Sequence, residues 1–313
     1  MKNRFLSTAT AADIEDQVDK ILRGLGHPEP PLKLEEVRAL LNLDRQFYTT
    51  TDSGVMAETL SRLRIATKQI IARPTLILDA IKKWDIQAFY LPDRRRILID
   101  EALPSAKHRW IEGHEITHGI LPWHAELMLG DTDQTLRPLC HEHLEAEANY
   151  GAGQLLFLRG RFVAEARDLP VALDTVRQLA KGFGNTMTST LWRFVESVHA
   201  DRLVFGAVTV HPHRSFRPSD FDPANPCRYF IRSPAFVQQF SRVTEREIFE
   251  AIESYCAARR GGPLGDAEIP IVDDLEGQHL FSFETFYNRH DALTLAVQLR
   301  LRETVIGVRA NFS

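Results

Sequence analysis

The segment of this chain best suited to chemistry is His114-Glu115-Ile116-Thr117-His118. On a helix, positions four apart share a face, with Cβ atoms about 5–6 Å from each other. Two imidazoles at that spacing can bind one Zn²⁺ at about 2.0–2.1 Å. Glu115 then stands beside the metal without filling a ligand position, where it can take a proton from bound water, as metal-assisted peptide hydrolysis requires. With 12 His and 22 Glu in 313 residues, random order produces the pattern roughly 0.03 times per chain. The plain alternative is a surface helix that happens to carry two histidines. Local context weighs against it, because Pro104-Ser105 offers a helix start with Ser105 as N-cap, and Pro122 stops the helix near Leu121.

Two histidines leave a tetrahedral site in need of a third protein ligand and an open position. His124 lies six residues after His118, the spacing of the HExxHxxGxxH pattern, but Leu121 stands where that pattern needs a sharply turning glycine. Glu145 is the stronger candidate. At 100° per residue it shares a helix face with Ala148, Asn149, Ala152, Leu155 and Leu156, a largely core-facing set that turns Glu145 inward. A carboxylate buried there is costly unless something such as a metal compensates it. Glu147 falls on the opposite side and is expected to be solvated. His141 and Glu142 lie within a turn of Glu145 and are candidates to hold a ligating imidazole in place. Side chains in the run Cys140–His143 diverge around a helix, which argues against a separate metal site.

The elements that must position these residues read as follows. Helices are expected over Ala11–Leu25, Leu34–Leu43, Met56–Ile71, Ser105–Leu121, Pro138–Leu158, Val171–Gly182 and Thr188–His199. Leu76–Ile81 is ambiguous between helix and strand, and Gly130–Gln134 reads as a polar loop. Ile86–Leu91 and Arg96–Asp100 read as strands joined by a turn at Pro92-Asp93-Arg94. After His199 the composition shifts. Strands are expected at Leu203–Val210, Arg228–Ile231, Gln278–Glu284 and Ala292–Gln298, with a helix at Glu245–Ala258 and a break at Gly261-Gly262-Pro263. The fold class is therefore α+β: a mostly helical domain over residues 1–200 with a small sheet, then a smaller α/β domain over 201–313. His211, His213, His279 and His290 are scattered, and Phe281, Phe283, Phe286 and Tyr287 read as core.

Composition bounds the function. The chain has 44% hydrophobic and 26% charged residues and a net charge of −4, so nothing global calls for a polyanionic partner. Apolar stretches such as Thr75–Ile81 fall short of the ~18 residues that span a bilayer, and Met1–Thr10 lacks the apolar core of a secretory signal. Three widely spaced cysteines, Cys140, Cys227 and Cys256, argue against a disulfide framework. A cytoplasmic protein without a membrane partner is expected.

Several segments, in order, resemble the ImmA/IrrE family of zinc metallopeptidases. They are Pro30-Pro31-Leu32-Lys33-Leu34-Glu35-Glu36-Val37, the strand Arg96–Asp100, Arg109–His118, and Glu145-Ala146-Glu147-Ala148-Asn149-Tyr150-Gly151-Ala152 followed by Leu155-Leu156. The family pattern E-x-x-A-N-x-x-A-x-x-L-L falls on Glu145. Gly151 departs from it, since relatives usually carry a larger residue there. The resemblance spans about residues 10–200 and implies a zincin-like fold with Arg96–Asp100 beside the cleft, where a substrate peptide would add as a strand. It also implies that the substrate is a helix-turn-helix transcriptional repressor. Some relatives carry a GAF-like sensory domain after the peptidase, an analogy for residues 201–313.

The expected activity is thus that of a zinc-dependent endopeptidase, with His114, His118 and Glu145 as ligands, Glu115 as general base, and Tyr150, His124 or His143 as candidates to stabilise an oxyanion. The competing expectation is a metal-binding regulatory or sensor protein with little peptidase activity. The helix pair 171–199 has a helix-turn-helix look, but its mixed charges (Asp174, Arg177, Lys181, Arg193, Glu196) support packing on the peptidase core rather than binding to nucleic acid.

Overall fold

Ser7 opens the first helix by accepting a hydrogen bond from the Thr10 backbone N–H, and α1 (Thr8–Gly24) then buries Ile14, Val18 and Leu22 along one stripe. The computed structural model describes residues 5–48, 88–91, 95–124 and 138–301. The helix at Met56–Ile71, the segment Leu76–Ile81, the turn Pro92-Asp93-Arg94 and the loop Gly130–Gln134 lie outside them. The fold is mixed α+β and divides into two units. One takes the described residues up to Arg161 together with Gly182–Thr186; the other takes Phe162–Lys181 and the described residues from Met187 on. This division falls earlier than the break expected near residue 200.

In the first unit, α2 (Leu34–Leu41) ends on Asn42 in the left-handed conformation. A three-stranded sheet follows in the order β1 (Asp44–Tyr48), β3 (Arg96–Asp100), β2 (Ala88–Leu91), with β1 parallel and β2 antiparallel to β3. The polar run Asp44-Arg45-Gln46 hides the strand character of β1 from sequence patterning. α3 (Ser105–Ile120) starts with Pro104, not Ser105, at the N-cap position, and no side chain caps it. α3 packs on α4 (Pro138–Leu156) and on β2 and β3, while α1 packs on α4 and α2 on α3.

Small residues let α3 and α4 approach closely. A Cβ added to Gly113 would stand 2.9 Å from Leu156 Cδ1, and one added to Gly151 would fall well inside contact with Thr117 Cγ2 and 3.1 Å from Ile14 Cγ2. Gly151, the departure from the family pattern, is therefore matched to a threonine that projects into its space. Thr117 in turn keeps its hydroxyl on the Gly113 carbonyl at 2.9 Å.

The second unit begins with α5 (Gly160–Ala166), α6 (Leu173–Phe183) and α7 (Met187–Arg193), the last continuing into a π-helical turn at Phe194–Val198. Most of the helix pair 171–199 falls in this unit, where Leu191 lies against Gly206 of β4 (Val204–Thr209), while its turn, Gly182–Thr186, falls in the first. β5 (Cys227–Arg232), α8 (Pro234–Gln239), α9 (Glu245–Tyr255), β6 (Gly262–Val272), β7 (Gln278–Tyr287) and β8 (Ala292–Leu301) follow. The sheet order is β5-β4-β8-β7-β6 and every pairing is antiparallel, so the unit is α+β rather than α/β in the strict sense.

The core of this unit is aromatic, built from Phe205, Phe230, Phe236, Phe240, Phe281 and Phe283. A capping box between Thr244 and Glu247 starts α9. β6 occupies the span read as a break at Gly261-Gly262-Pro263. As the sheet's edge strand it tolerates Pro263 and Pro270, which a central strand would not. Cys227 and Cys256 are buried free thiols, with pKa values pushed up by burial to about 12 and about 11. No helix among the described residues is long and apolar enough to cross a membrane.

The Gly151–Thr117 contact yields a paired prediction. Gly151→Ala should destabilise the first unit by about 1–3 kcal/mol, the usual cost of overpacking, read as lost hydrogen-exchange protection in α3 and α4. Adding Thr117→Ser, which deletes the obstructing methyl and keeps the hydroxyl, should recover most of that loss.

Candidate metal centre

α3 carries the HExxH segment and is fixed from behind by Glu112. That buried carboxylate accepts from Arg38 Nε and Arg45 Nη1, each at 2.7 Å, tying α3 to α2 and β1. Charge-assisted bonds of this kind to both oxygens restrain rotation of the helix about its axis. The opposite face presents His114 and His118, whose Nε2 atoms lie 3.2 Å apart. Glu145 reaches them from α4, with Oε2 3.2 Å from His114 Nε2 and Oε1 3.7 Å from His118 Nε2.

These separations test whether the donors fit an ion. Ligand atoms at roughly 2.0–2.1 Å around a tetrahedral centre stand about 3.3–3.4 Å from one another, close to the three distances observed. His114, His118 and Glu145 could hold a metal ion. His124, the rival third ligand, is placed behind His118 instead. Its Nδ1 lies 2.9 Å from His118 Nδ1, the ring nitrogen that faces away from Glu145.

Each of the two candidate imidazole ligands is oriented through its other nitrogen. His114 Nδ1 lies 3.2 Å from Asn149 Oδ1, an oxygen that can only accept, so Nδ1 carries the proton. Sequence periodicity put Asn149 toward the core, yet it is exposed and points to the cluster one turn after Glu145. His118 leans on His124, and His124 Nε2 meets Glu147 Oε2 at 2.9 Å. Glu147, expected to be solvated, is only 17% exposed and also accepts from Trp123 Nε1 at 2.7 Å. What hid this was the single turn after Leu121, closed by the His124 N–H on the Leu121 carbonyl, which folds Trp123 and His124 back onto α4.

The electrostatics follow from the crowding. Burial disfavours charge on both Glu145 and His114. For Glu145 the hydrogen bond from His114 and the attraction of the neighbouring His114 and His118 rings outweigh burial and hold the carboxyl well below its usual range. For His114, burial is outweighed by Glu145, Glu115 and Asn149 together, and the pKa is raised. A cation would replace the shared proton, so metal uptake here releases protons. Burial lowers the pKa of His124 and keeps its ring neutral, against the pull of Glu147. Glu145 itself is 42% exposed, more open than its helix face suggested, and leaves one side of the cluster to solvent.

Glu115 is buried beside the ligands. Burial, seconded by the Glu145 charge, raises its pKa to about 7, against the opposing effects of His114 and a hydrogen bond from the Tyr90 backbone N–H. The remaining candidates lie elsewhere. Tyr150 donates its hydroxyl to Glu15 Oε1 at 2.6 Å, on the α1 side of α4. Glu142 and His143 are exposed, and the His141 side chain lies outside what the structure describes. Arg96–Asp100 is the central strand, with its backbone engaged on both sides, so an added peptide strand cannot pair with it.

No family model matches the chain, and no curated protein matches it either. A solved structure described as a Mycobacterium tuberculosis transcriptional regulator is similar over 92% of this chain and 76% of its own, with a TM-score of 0.52 and 13% identity. A likeness at that identity extends to the fold alone.

Glu115 gives a pH prediction for the metal-free protein. With its folded pKa near 7 and its unfolded value near 4.5, the native state binds the extra proton between those limits, and stability falls as pH rises through them. Glu115→Gln removes this penalty. In chelator-treated protein the variant should match wild type near pH 4.5 and exceed it by about 2–4 kcal/mol above pH 7, each pKa unit being about 1.4 kcal/mol. Urea melts across that range measure the gap.

Proposed function

We propose that this protein is a zinc-dependent endopeptidase in which His114, His118 and Glu145 hold the metal and Glu115 is the general base. The observation that carries the reading is a buried carboxyl, Glu115, next to a two-imidazole, one-carboxylate cluster, where burial raises its pKa. A structural metal site has no use for such a group, and structural zinc sites normally close with four protein ligands. Zinc suits the donor set, because two neutral imidazoles and one carboxylate leave a position for water in a tetrahedral centre.

His114, His118 and Glu145 would hold the zinc, which would supply Lewis acidity toward a water and a peptide carbonyl. Glu115 accepts the water's proton and later returns it to the departing amine, a task for which a pKa near the working pH is best matched. The Tyr90 N–H fixes the carboxyl so that one oxygen keeps its direction. An extended substrate adds to the outer edge of β2, the strand that contacts Glu115, rather than to β3. The substrate implied by the resemblance is a helix-turn-helix transcriptional regulator.

A second reading, a metal-binding regulator with little peptidase activity, draws on the name of the structural neighbour, a transcriptional regulator whose likeness runs through both units. The two readings part on one experiment. Purified protein should contain about one zinc per chain by mass spectrometry, with the metal lost in His114→Ala and Glu145→Ala and kept in Glu115→Gln. Wild type should cleave unstructured peptides from a quenched-fluorescence library at a rate that Glu115→Gln lowers by at least 10²-fold, the low end of general acid–base contributions. Zinc retained without any cleavage would move the assignment to the regulator. Cleavage surviving in Glu115→Gln would remove Glu115 from its role.

A further inference from the structure

We infer that Glu147 and His124 are positioning residues that fix the tautomer and ring orientation of His118, and through it the strength of the metal site. The inference deepens the metal reading of His114, His118 and Glu145 and rests on it.

Donor and acceptor identities give the chain of bonds a single direction. Trp123 Nε1–H can only donate, so Glu147 Oε2, 2.7 Å away, accepts. The same oxygen accepts from His124 Nε2 at 2.9 Å. His124 is wholly buried, and an uncharged ring that donates through Nε2 has an acceptor at Nδ1. His118 Nδ1, 2.9 Å from it, must then be the donor. That leaves the His118 Nε2 lone pair directed at His114 Nε2 and Glu145 Oε1, the geometry a metal needs. Reversing either of the two histidine bonds would put a proton on Nε2 and point it into the cluster.

The two ligating rings are therefore held unequally. His114 rests on a neutral amide, Asn149, at 3.2 Å on the exposed side. His118 is coupled through a buried imidazole to a carboxylate, which withdraws the Nδ1 proton further and makes Nε2 the stronger electron donor. Trp123 and His124, adjacent on one short turn, both end on the same oxygen, so the turn and the tautomer are locked together. Glu147 should consequently matter more to the metal than Asn149, although Asn149 touches a ligand directly and Glu147 does not.

The test has two readouts on the full chain. In metal-free protein at pH 8.5, long-range ¹H–¹⁵N spectra of the imidazoles, assigned with His118→Gln, should show His118 as the Nδ1–H tautomer. Glu147→Ala should shift it toward Nε2–H, the form preferred in water, and Glu147→Gln, which keeps an acceptor oxygen, should restore Nδ1–H in large part. Zinc affinity, measured by competition with a chromophoric chelator, should fall 10–100-fold in Glu147→Ala, the usual range for removing a ligand's hydrogen-bonded partner. It should fall less in Glu147→Gln and in Asn149→Ala. Should Glu147→Ala fail to fold, Glu147→Gln decides, with a smaller loss of affinity and a shift in the visible bands of the Co²⁺-substituted protein as the expected result. An Nε2–H tautomer in wild type, or unchanged tautomer and affinity in the Glu147 variants, overturns the relay. The expected tautomer together with no zinc binding in wild type overturns the metal reading instead.

Discussion

Three electron-rich atoms, two imidazole nitrogens and a carboxylate oxygen, are held within 3.2–3.7 Å of one another by two helices. Left to themselves such groups repel or share protons, and only a rigid frame keeps them converged. The frame here is close packing of α3 on α4, made by placing Gly113 under Leu156 and Gly151 under Thr117. A wider crossing would carry Glu145 out of reach of the histidines. Glu112 supplies the remaining restraint, since its ion pairs with Arg38 and Arg45 set the rotation of α3 that turns both imidazoles toward α4.

The same convergence explains which parts of the site could be read from residue order. His114, Glu115, His118 and Glu145 follow from helical spacing, because each belongs to a long helix whose period is regular. Glu147 does not, and the reason is geometric. A helical wheel sees only its own helix, and Glu147 is buried by Trp123 and His124, which a one-turn segment after Pro122 brings back from a different direction. Asn149 was placed toward the core for the complementary reason: the face it shares with Ala148 and Ala152 is bounded by the cluster, and Asn149 sits at that boundary. Six residues separate His118 from His124 whether His124 ligates or supports, so spacing alone leaves its role open. Its contact is with His118 Nδ1, on the far side of that ring from Glu145.

The strands show the corresponding pattern for the fold. Ile97, Leu98 and Ile99 announce β3, but its place between β1 and β2 depends on Asp44–Tyr48, a polar run that forms a strand because it pairs in parallel with Arg96–Asp100. In the second unit, β4, β5, β7 and β8 carry the apolar and aromatic side chains that fill a phenylalanine-rich core, and all four were anticipated. The start of β6 falls in the expected break at Gly261-Gly262-Pro263, and Pro270 adds a second residue unsuited to a central strand. Pairing on one side only, with β7, removes the conflict. A buried network sits at the β6–β7 turn, where Asp273 accepts from the Gly277 and Leu275 amides, Gln239 and His279. These bonds draw the Asp273 pKa down to about 2, and they give a histidine outside the candidate metal site a structural task.

Glu145 and Glu147 lie two residues apart on one helix and have opposite surroundings. Glu145 keeps 42% of its side chain exposed and is held by the two histidines, while Glu147 keeps 17% and is held by an indole and an imidazole. The contrast bears on function. A site whose only task is to brace a fold gains from being closed on every side, because water competes for each bond. Here the rear of the cluster is closed, with His118, His124 and Glu147 bonded in series, while the front, where Glu145 faces solvent, stays open. Glu115, next to His114 in the chain, is buried, and burial raises its pKa to about 7. A closed rear, an open front and a buried carboxyl next to the cluster are compatible with the proposed hydrolysis, and bracing the fold alone would require neither the opening nor the carboxyl.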